Sequence, residues 1–205
     1  MSILITISRE FGSGGRELGR RLADLLGIAY YDKEILLEIE HKTPFSKEYI
    51  EEVCENRPIP LFPIHYGNSW ASVPDPHLKQ SIEVYHAQTD IMKELSHKSS
   101  CVIIGRCADY VLRDEKPLRI FVYSDMKSKI ERCRQREKGH DILSDKEIAK
   151  KIKAIDKRRK KYYEFYTGQN WGDRSNYDML LNTTNVSIPD LAEVLAAQLL
   201  KTKAK

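Results

Sequence analysis

"ILITISREFGSGGRELGRRLADLLG", residues 3–27, is the stretch that decides the fold. Its opening, Ile3 to Ile7, is an unbroken apolar run ending at Ser8, the pattern of a strand buried on both faces. Gly12, Ser13, Gly14 and Gly15 follow. Leu18, Leu22, Leu25 and Leu26 then recur at helical spacing, with Gly27 suited to the cap. The order is strand, glycine loop, helix. Residues 12–15 can take the positive φ angles that turn backbone N–H groups onto an anion, and the helix adds the partial positive charge of its N-terminus. A glycine run by itself can also be a tight turn that binds nothing. A buried strand before it and an arginine after it favour an anion.

The charged residues beyond the glycines are unusual for such a loop. In the pattern G-x-x-x-x-G-K-[ST] a lysine reaches the β and γ phosphates and a hydroxyl ligates Mg²⁺. Here the Gly-Lys pair becomes Gly15-Arg16, and Glu17 stands where the hydroxyl would be. Arg16 keeps the charge and can bind phosphate through two N–H groups, but it is planar and bulkier than a lysine. Glu17 has two readings: a carboxylate ligand for Mg²⁺, or an acid in the first helical turn that favours the dipole and faces solvent or an ion-pair partner.

Outward from the loop, strand and helix patterns alternate. "IAYYD" is a short second strand with Asp32 at its end, and residues 33–41 are helical. From Thr43 to Pro76 lie six of the chain's eight prolines, with a helical piece from Glu48 to Asn56 between them, so an irregular excursion is expected. A helix over His77 to Lys98 should bury Ile82, Tyr85, Ile91 and Leu95. "CVIIG" from Cys101 and "LRIFVY" from Leu118 are buried-type strands. A long basic helix follows from Asp145 to Tyr166, then "MLLNTT" from Met179 and a closing helix from Ile188 to Leu200, with Ser187 and Asp190 at its N-terminus. This alternation predicts a three-layer α/β fold: a parallel sheet of about five strands with helices on both faces. Ligands in such folds sit beyond the carboxyl ends of the strands. Arg16, Asp32 and Arg106 all follow predicted strands, so one cleft can collect them. Asp32 suits either Mg²⁺ organisation and acceptor orientation or the N-cap of the helix beginning at Lys33.

Composition narrows the function. With 205 residues and 41% hydrophobic content, the chain can bury a sizeable core. Its apolar runs fall short of the roughly 20 residues a membrane span needs. No secretory leader pattern is expected at Met1, and a cytoplasmic protein without membrane partners is anticipated. Cys54, Cys101, Cys107 and Cys133 form no CxxC pair and suit structural thiols better than metal or disulfide chemistry. No His spacing suggests a zinc site. His65, His77 and His86 fall near the excursion, where they can touch an acceptor, and suit surface positions better. The net charge of +4 is small, with basic clusters over 127–138 and 150–161. Such clusters suit a nucleotide. Nucleic-acid binding is disfavoured by the low net charge and by the absence of interleaved aromatics on a strand pair. The aromatic group Tyr162, Tyr163, Phe165 and Tyr166 suits core packing better than base stacking.

"ISREFGSGGRELG", "YYDKE", "VIIGRCADYVL" and "LLNTTNVSIPDLAEVL" together resemble the cytidylate kinase-like family of P-loop proteins. The resemblance runs over most of the chain and is weakest from Thr43 to Pro76. It implies a single domain with an acceptor-binding insertion near residues 40–90 and an arginine-rich lid near 127–142. It implies phosphoryl transfer from ATP, with Mg²⁺, to a small acceptor such as the nucleoside monophosphate CMP. By this resemblance Gly12, Ser13, Gly14, Gly15, Arg16 and Glu17 hold the donor, and Arg106 inherits the acceptor-phosphate role. Arg132, Arg134 and Arg136 fall in the lid, Arg158 and Arg159 on the helix beyond it, and Glu17 and Asp32 near Mg²⁺. The chain departs from the family's cytidylate kinases at several points: Glu10 stands where their loop begins with glycine, Cys107 replaces an acid after Gly105-Arg106, and Lys33-Glu34 replaces Thr-Gly. These departures keep a second reading open, a nucleotide- or phosphate-binding protein with a degenerate kinase site. The lid arginines can equally lie on a solvated helix face beside Glu131 and Glu137. The sequence does not fix the oligomeric state, a homo-oligomer included.

Overall fold

In the computed structural model the described residues are 3–55, 76–136 and 143–203. The elements follow in order: β1 (Leu4–Arg9), α1 (Gly15–Leu26), β2 (Ala29–Tyr31), α2 (Glu34–Lys42), α3 (Lys47–Glu55), α4 (Pro76–Lys98), β3 (Cys101–Ile104), α5 (Ala108–Val111), β4 (Leu118–Tyr123), α6 (Met126–Arg136), α7 (Asp145–Thr167), β5 (Met179–Asn182) and α8 (Ile188–Lys203). The strands form one parallel sheet in the order β2-β3-β1-β4-β5. This is the three-layer α/β fold that the alternating pattern predicts, with the sheet of five parallel strands.

The side-chain alternation of β3 shows how the layers divide. Cys101 and Ile103 enter one core with Ile35, Ile39, Ile50, Met92 and Tyr162 from α2, α3, α4 and α7. Val102 and Ile104 enter the other, with Ile5, Ile7, Leu18, Leu22 and Ala192 from β1, α1 and α8. Helices on both faces leave all four residues of β3 buried, which explains its continuous apolar run. The central strand β1 pairs Ile5 with both Val102 and Leu118, so its carboxyl end lies between the ends of β3 and β4.

Several boundaries differ from the expectation. β1 continues to Arg9, because Glu10 N–H still bonds Val122 O at 3.0 Å. On α4 the buried stripe runs through Ser81, Val84, Gln88, Ile91 and Met92, whereas Ile82 is exposed. Apolar residues alone did not mark that stripe, since two of its positions are polar and hydrogen-bonded within the core or helix. Leu25 is likewise exposed, and so is Phe165, whose ring meets Tyr166 edge-on while Tyr162 and Tyr163 are buried. The prolines Pro58, Pro60, Pro63 and Pro74 of the excursion, with Asn56 and His65, lie outside the described residues. Glu48 to Glu55 belong to α3, which joins the first core instead of standing apart from it.

Leu22 of α1 is fully buried between the sheet and α8. Leu22→Ala should cost about 2–5 kcal/mol of unfolding free energy, measured by urea denaturation, with the midpoint falling and the slope unchanged.

Candidate active site at the strand ends

The glycine loop is tied down from three sides. Phe11 N–H donates to Asp156 Oδ1 of α7 at 2.7 Å. Glu10 Oε2 lies 2.6 Å from Lys129 Nζ of α6 and accepts from Ser124 N–H at 3.2 Å. Thr183 Oγ1, just beyond β5, donates to Ser13 O at 2.7 Å. Ser13 closes the turn itself, its hydroxyl donating to Glu10 O at 2.8 Å. Gly12 and Gly14 take φ angles of 78° and 86°, where an L side chain is strained. The first intrahelical bond runs from Leu18 N–H to Gly14 O, so the N–H groups of Gly15, Arg16 and Glu17 find no carbonyl within the helix. They are directed out of the helix end, as an anion requires.

Beside the loop a cavity of ≈ 300 Å³ opens at the carboxyl ends of β1, β2 and β3. Arg9, Arg16, Arg106, Arg158 and Arg159 line it around one nearly buried carboxylate, Asp32. Arg16 Nε lies 2.6 Å from Asp32 Oδ2, and Arg9 Nη2 lies 3.8 Å from Oδ1. Arg106 reaches the same residue from β3, its Nε donating to Asp32 O at 3.3 Å. Arg106 and Cys107 both have left-handed backbone conformations. Gln88 supports the turn, donating to Arg106 O at 3.2 Å and to the Tyr162 hydroxyl at 3.3 Å. Arg159 Nη1 donates to Arg9 O at 3.2 Å. Burial, and then the neighbouring Arg159, hold the Arg9 guanidinium down to about 9.

The cavity wall is partly aromatic, with Phe11, Tyr162, Tyr163 and Trp171. Behind it, buried Asp109 accepts from Tyr163 OH at 2.6 Å and from Ser8 Oγ at 3.1 Å. Burial pushes its carboxyl up despite those bonds.

On the outer side of α1, Glu17 accepts from Arg21 Nε at 3.0 Å and from Arg136 Nη2 at 3.2 Å. Arg136 thus reaches back from α6 to the first turn of α1. Arg132 is braced, its guanidinium donating to Ser124 Oγ at 3.2 Å and to the carbonyls of Thr183 and Val186. Burial lowers its affinity for the proton. Arg134 pairs with Asp145 at 2.7 Å.

The expected residues therefore fall into two groups. Arg16, Asp32, Arg106, Arg158 and Arg159 meet in the cavity, whereas Glu17, Arg132 and Arg136 bracket the loop from its other side. Asp32 does not cap α2: the N-cap is Lys33 without a side-chain bond, and Glu34 turns back to accept Asp32 N–H at 2.9 Å. Neither Asp32 nor Glu17 offers a carboxylate clear of arginine, and no cluster of three or more His, Cys, Asp or Glu side chains suited to a metal occurs among the described residues. These residues do not fit a Mg²⁺ ion held by the chain itself. The lysines of α7 at 150, 151, 153, 157, 160 and 161 are exposed. Glu137 lies outside the described residues.

The sequence reading missed Arg9, Gln88, Lys129 and Asp156. The signal for Asp156 and Gln88 was a polar residue on the inward face of a long helix. For Arg9 it was a charged residue ending a buried strand.

Comparison with known proteins agrees with this geometry. The sequence profile of the cytidylate kinase-like family matches residues 4–185. A cytidylate kinase from Methanopyrus kandleri is 24% identical over 207 residues, spanning 96% of this chain and 93% of that protein. An uncharacterized protein from Eubacterium ventriosum is similar in structure with a TM-score of 0.67 at 25% identity, covering 96% of this chain and 98% of that one. Shikimate kinase from Acinetobacter baumannii, in complex with shikimate, shares the fold with a TM-score of 0.52 at 18% identity, covering 99% and 96% of the two chains.

Asp32→Asn keeps the shape of the side chain and removes the charge facing Arg9 and Arg16. It should lower stability by about 1–3 kcal/mol, read as a fall in thermal midpoint, and the loss should shrink when inorganic phosphate supplies the missing anion.

Proposed function

The chain belongs to the cytidylate kinase-like family, and on that premise we propose that it transfers the terminal phosphoryl group of ATP to a small acceptor, a nucleoside monophosphate such as CMP. One observation carries this: five arginines line a cavity whose one buried carboxylate is Asp32, and the cavity opens beside a glycine loop at the head of a helix. Two polyanions brought together need such a site, because phosphoryl transfer asks for positioning and for cations around the migrating group.

In this reading the donor enters as its Mg²⁺ complex, the metal being part of the substrate. Its phosphates lie on the N–H groups of Gly12 to Glu17, beside Arg16. Arg106 holds the acceptor phosphate, with Asp32 orienting the acceptor and Arg158 and Arg159 adding charge. An acceptor phosphate oxygen forms the new bond to the γ phosphorus as the bond to the β,γ-bridging oxygen breaks, and ADP leaves. An ionised acceptor phosphate has no proton to lose, so no strong base is required. Residues near 40–90 would wall the acceptor side, and the arginine-rich segment near 127–142, with Arg132 and Arg136, would cover the donor and exclude water.

Calorimetry and thermal shift with ATP and GTP in Mg²⁺, then ADP release against a panel of nucleoside monophosphates, test this. ATP at a hundred times its Kd should add about 2.7 kcal/mol of stability, and ADP release should depend on one acceptor. Arg106→Met should raise the acceptor KM about tenfold or more with a smaller change in ATP binding. Nucleotide binding without release on any acceptor would instead identify a binding protein with a degenerate kinase site.

A further inference from the structure

We propose that Arg9, entering from the end of β1, is the cation that holds the transferring phosphoryl group, and that position 15 is glycine because the Arg9 side chain fills the space beside it. The assignment rests on the phosphoryl-transfer reading and names the residue on which that site turns.

The track of the side chain is the first argument. A Cβ built on Gly15 would lie 2.6 Å from Arg9 Cβ and 3.1 Å from its Cγ. One built on Gly105 would lie 1.7 Å from Arg9 Nη1 and 2.9 Å from Cζ. Arg9 therefore runs from the foot of α1 to the end of β3, along a channel that two glycines keep open. Its guanidinium arrives over the carboxyl ends of the central strands, within the cavity.

The loop spacing is the second argument. The structure makes Gly14 the N-cap and Gly15 the first residue of the helix. With Gly14 as the second glycine of G-x-x-x-x-G-K, the leading glycine falls on residue 9 and the lysine on residue 15. The chain has arginine and glycine there, the reverse arrangement. The cation is kept, but it is supplied by the strand instead of the helix.

Charge is the third. The Arg9 side chain is only 14% exposed, its carboxylate partner is 3.8 Å away, and Arg16, Arg106 and Arg159 are close enough to disfavour its charge. A cation buried with so little compensation is a site for an anion. Arg16, by comparison, is half-exposed and held by Asp32 at 2.6 Å. Arg9 neither gives nor takes a proton in the transfer. It meets the oxygens of the γ phosphate, with no counterpart when the donor is ADP.

The test is calorimetric titration of ATP and ADP, each with Mg²⁺, into the wild type, Arg9→Gly and the double variant Arg9→Gly/Gly15→Lys, with thermal melts of all three and of Gly15→Lys. Arg9→Gly should weaken ATP by at least about thirtyfold and ADP by less than about threefold. The double variant, which restores the usual order of glycine and lysine, should recover about tenfold or more of the ATP affinity. Gly15→Lys alone should melt well below the wild type, because its Cβ meets Arg9. In the Arg9→Gly background the same change should be tolerated, the nearest remaining atom being Val122 Cβ at 3.2 Å. Arg9→Lys and Arg9→Met repeat the comparison without loosening the strand end, lysine keeping ATP affinity within about tenfold and methionine losing it. Wild-type affinity for ATP in Arg9→Gly, or equal losses for ATP and ADP, overturns the proposal while leaving the kinase reading intact. A wild type that binds neither nucleotide overturns both.

Discussion

Asp32 is one nearly buried carboxylate facing several guanidinium groups, and the site depends on that imbalance. Two like charges about 4 Å apart repel by about 4 kcal/mol at an effective dielectric of 20. Only a stiff scaffold can hold such groups together without a ligand. The parallel sheet provides it: Arg9 ends the central strand, Asp32 follows an edge strand, and Arg106 follows the strand between them. Their backbones are fixed by the strand register, so the cations cannot relax apart by moving the chain.

The loop is stiffened by a second set of interactions that use the opposite sign of charge. Asp156 takes the Phe11 amide and sits near Lys129, which in turn meets Glu10. Burial pushes the Asp156 carboxyl up, and its bond to Phe11 together with Lys129 and Arg159 pulls the other way. Thr183 fixes Ser13 from beyond β5, and Arg132 holds that same turn through the carbonyls of Thr183 and Val186. The result is a loop whose free N–H groups keep their direction before any anion arrives, which is what preorganised electrostatic stabilisation requires.

The fold was largely legible because its signals are local. Continuous apolar runs mark strands covered on both faces, and β3 and β4 show them over nearly their full length. The site was legible in part. Arg16, Asp32 and Arg106 were found because ligands gather at strand ends, a rule that needs only the order of elements. Gln88 and Asp156 were not, since each acts through a backbone group far away in sequence, at separations of 18 and 145 residues. Asp32 shows the other limit. Its position before a helix suggested a cap, but two arginines from different elements compete for the same carboxylate, and a charge-assisted pair outweighs a single capping bond.

The departures at positions 9 and 15 become one rearrangement once the cation is assigned to the strand. A side chain at residue 15 and an arginine at residue 9 need the same volume, so each excludes the other. Arginine suits the strand position because its long, planar head spans from the foot of α1 to Gly105 and offers a fixed fork of N–H groups to a phosphate, where a lysine would act as a point charge. In that register the hydroxyl position falls on Arg16, which pairs with Asp32, and Glu17 lies one residue beyond it. Its carboxylate joins the start of α1 to Arg136 of α6, linking the phosphate loop to the helix that begins the arginine-rich segment. A carboxylate there would repel a phosphate if it turned inward. Paired with Arg21 and Arg136 on the outer face, it leaves the inner face of the loop to the N–H groups and to Arg9.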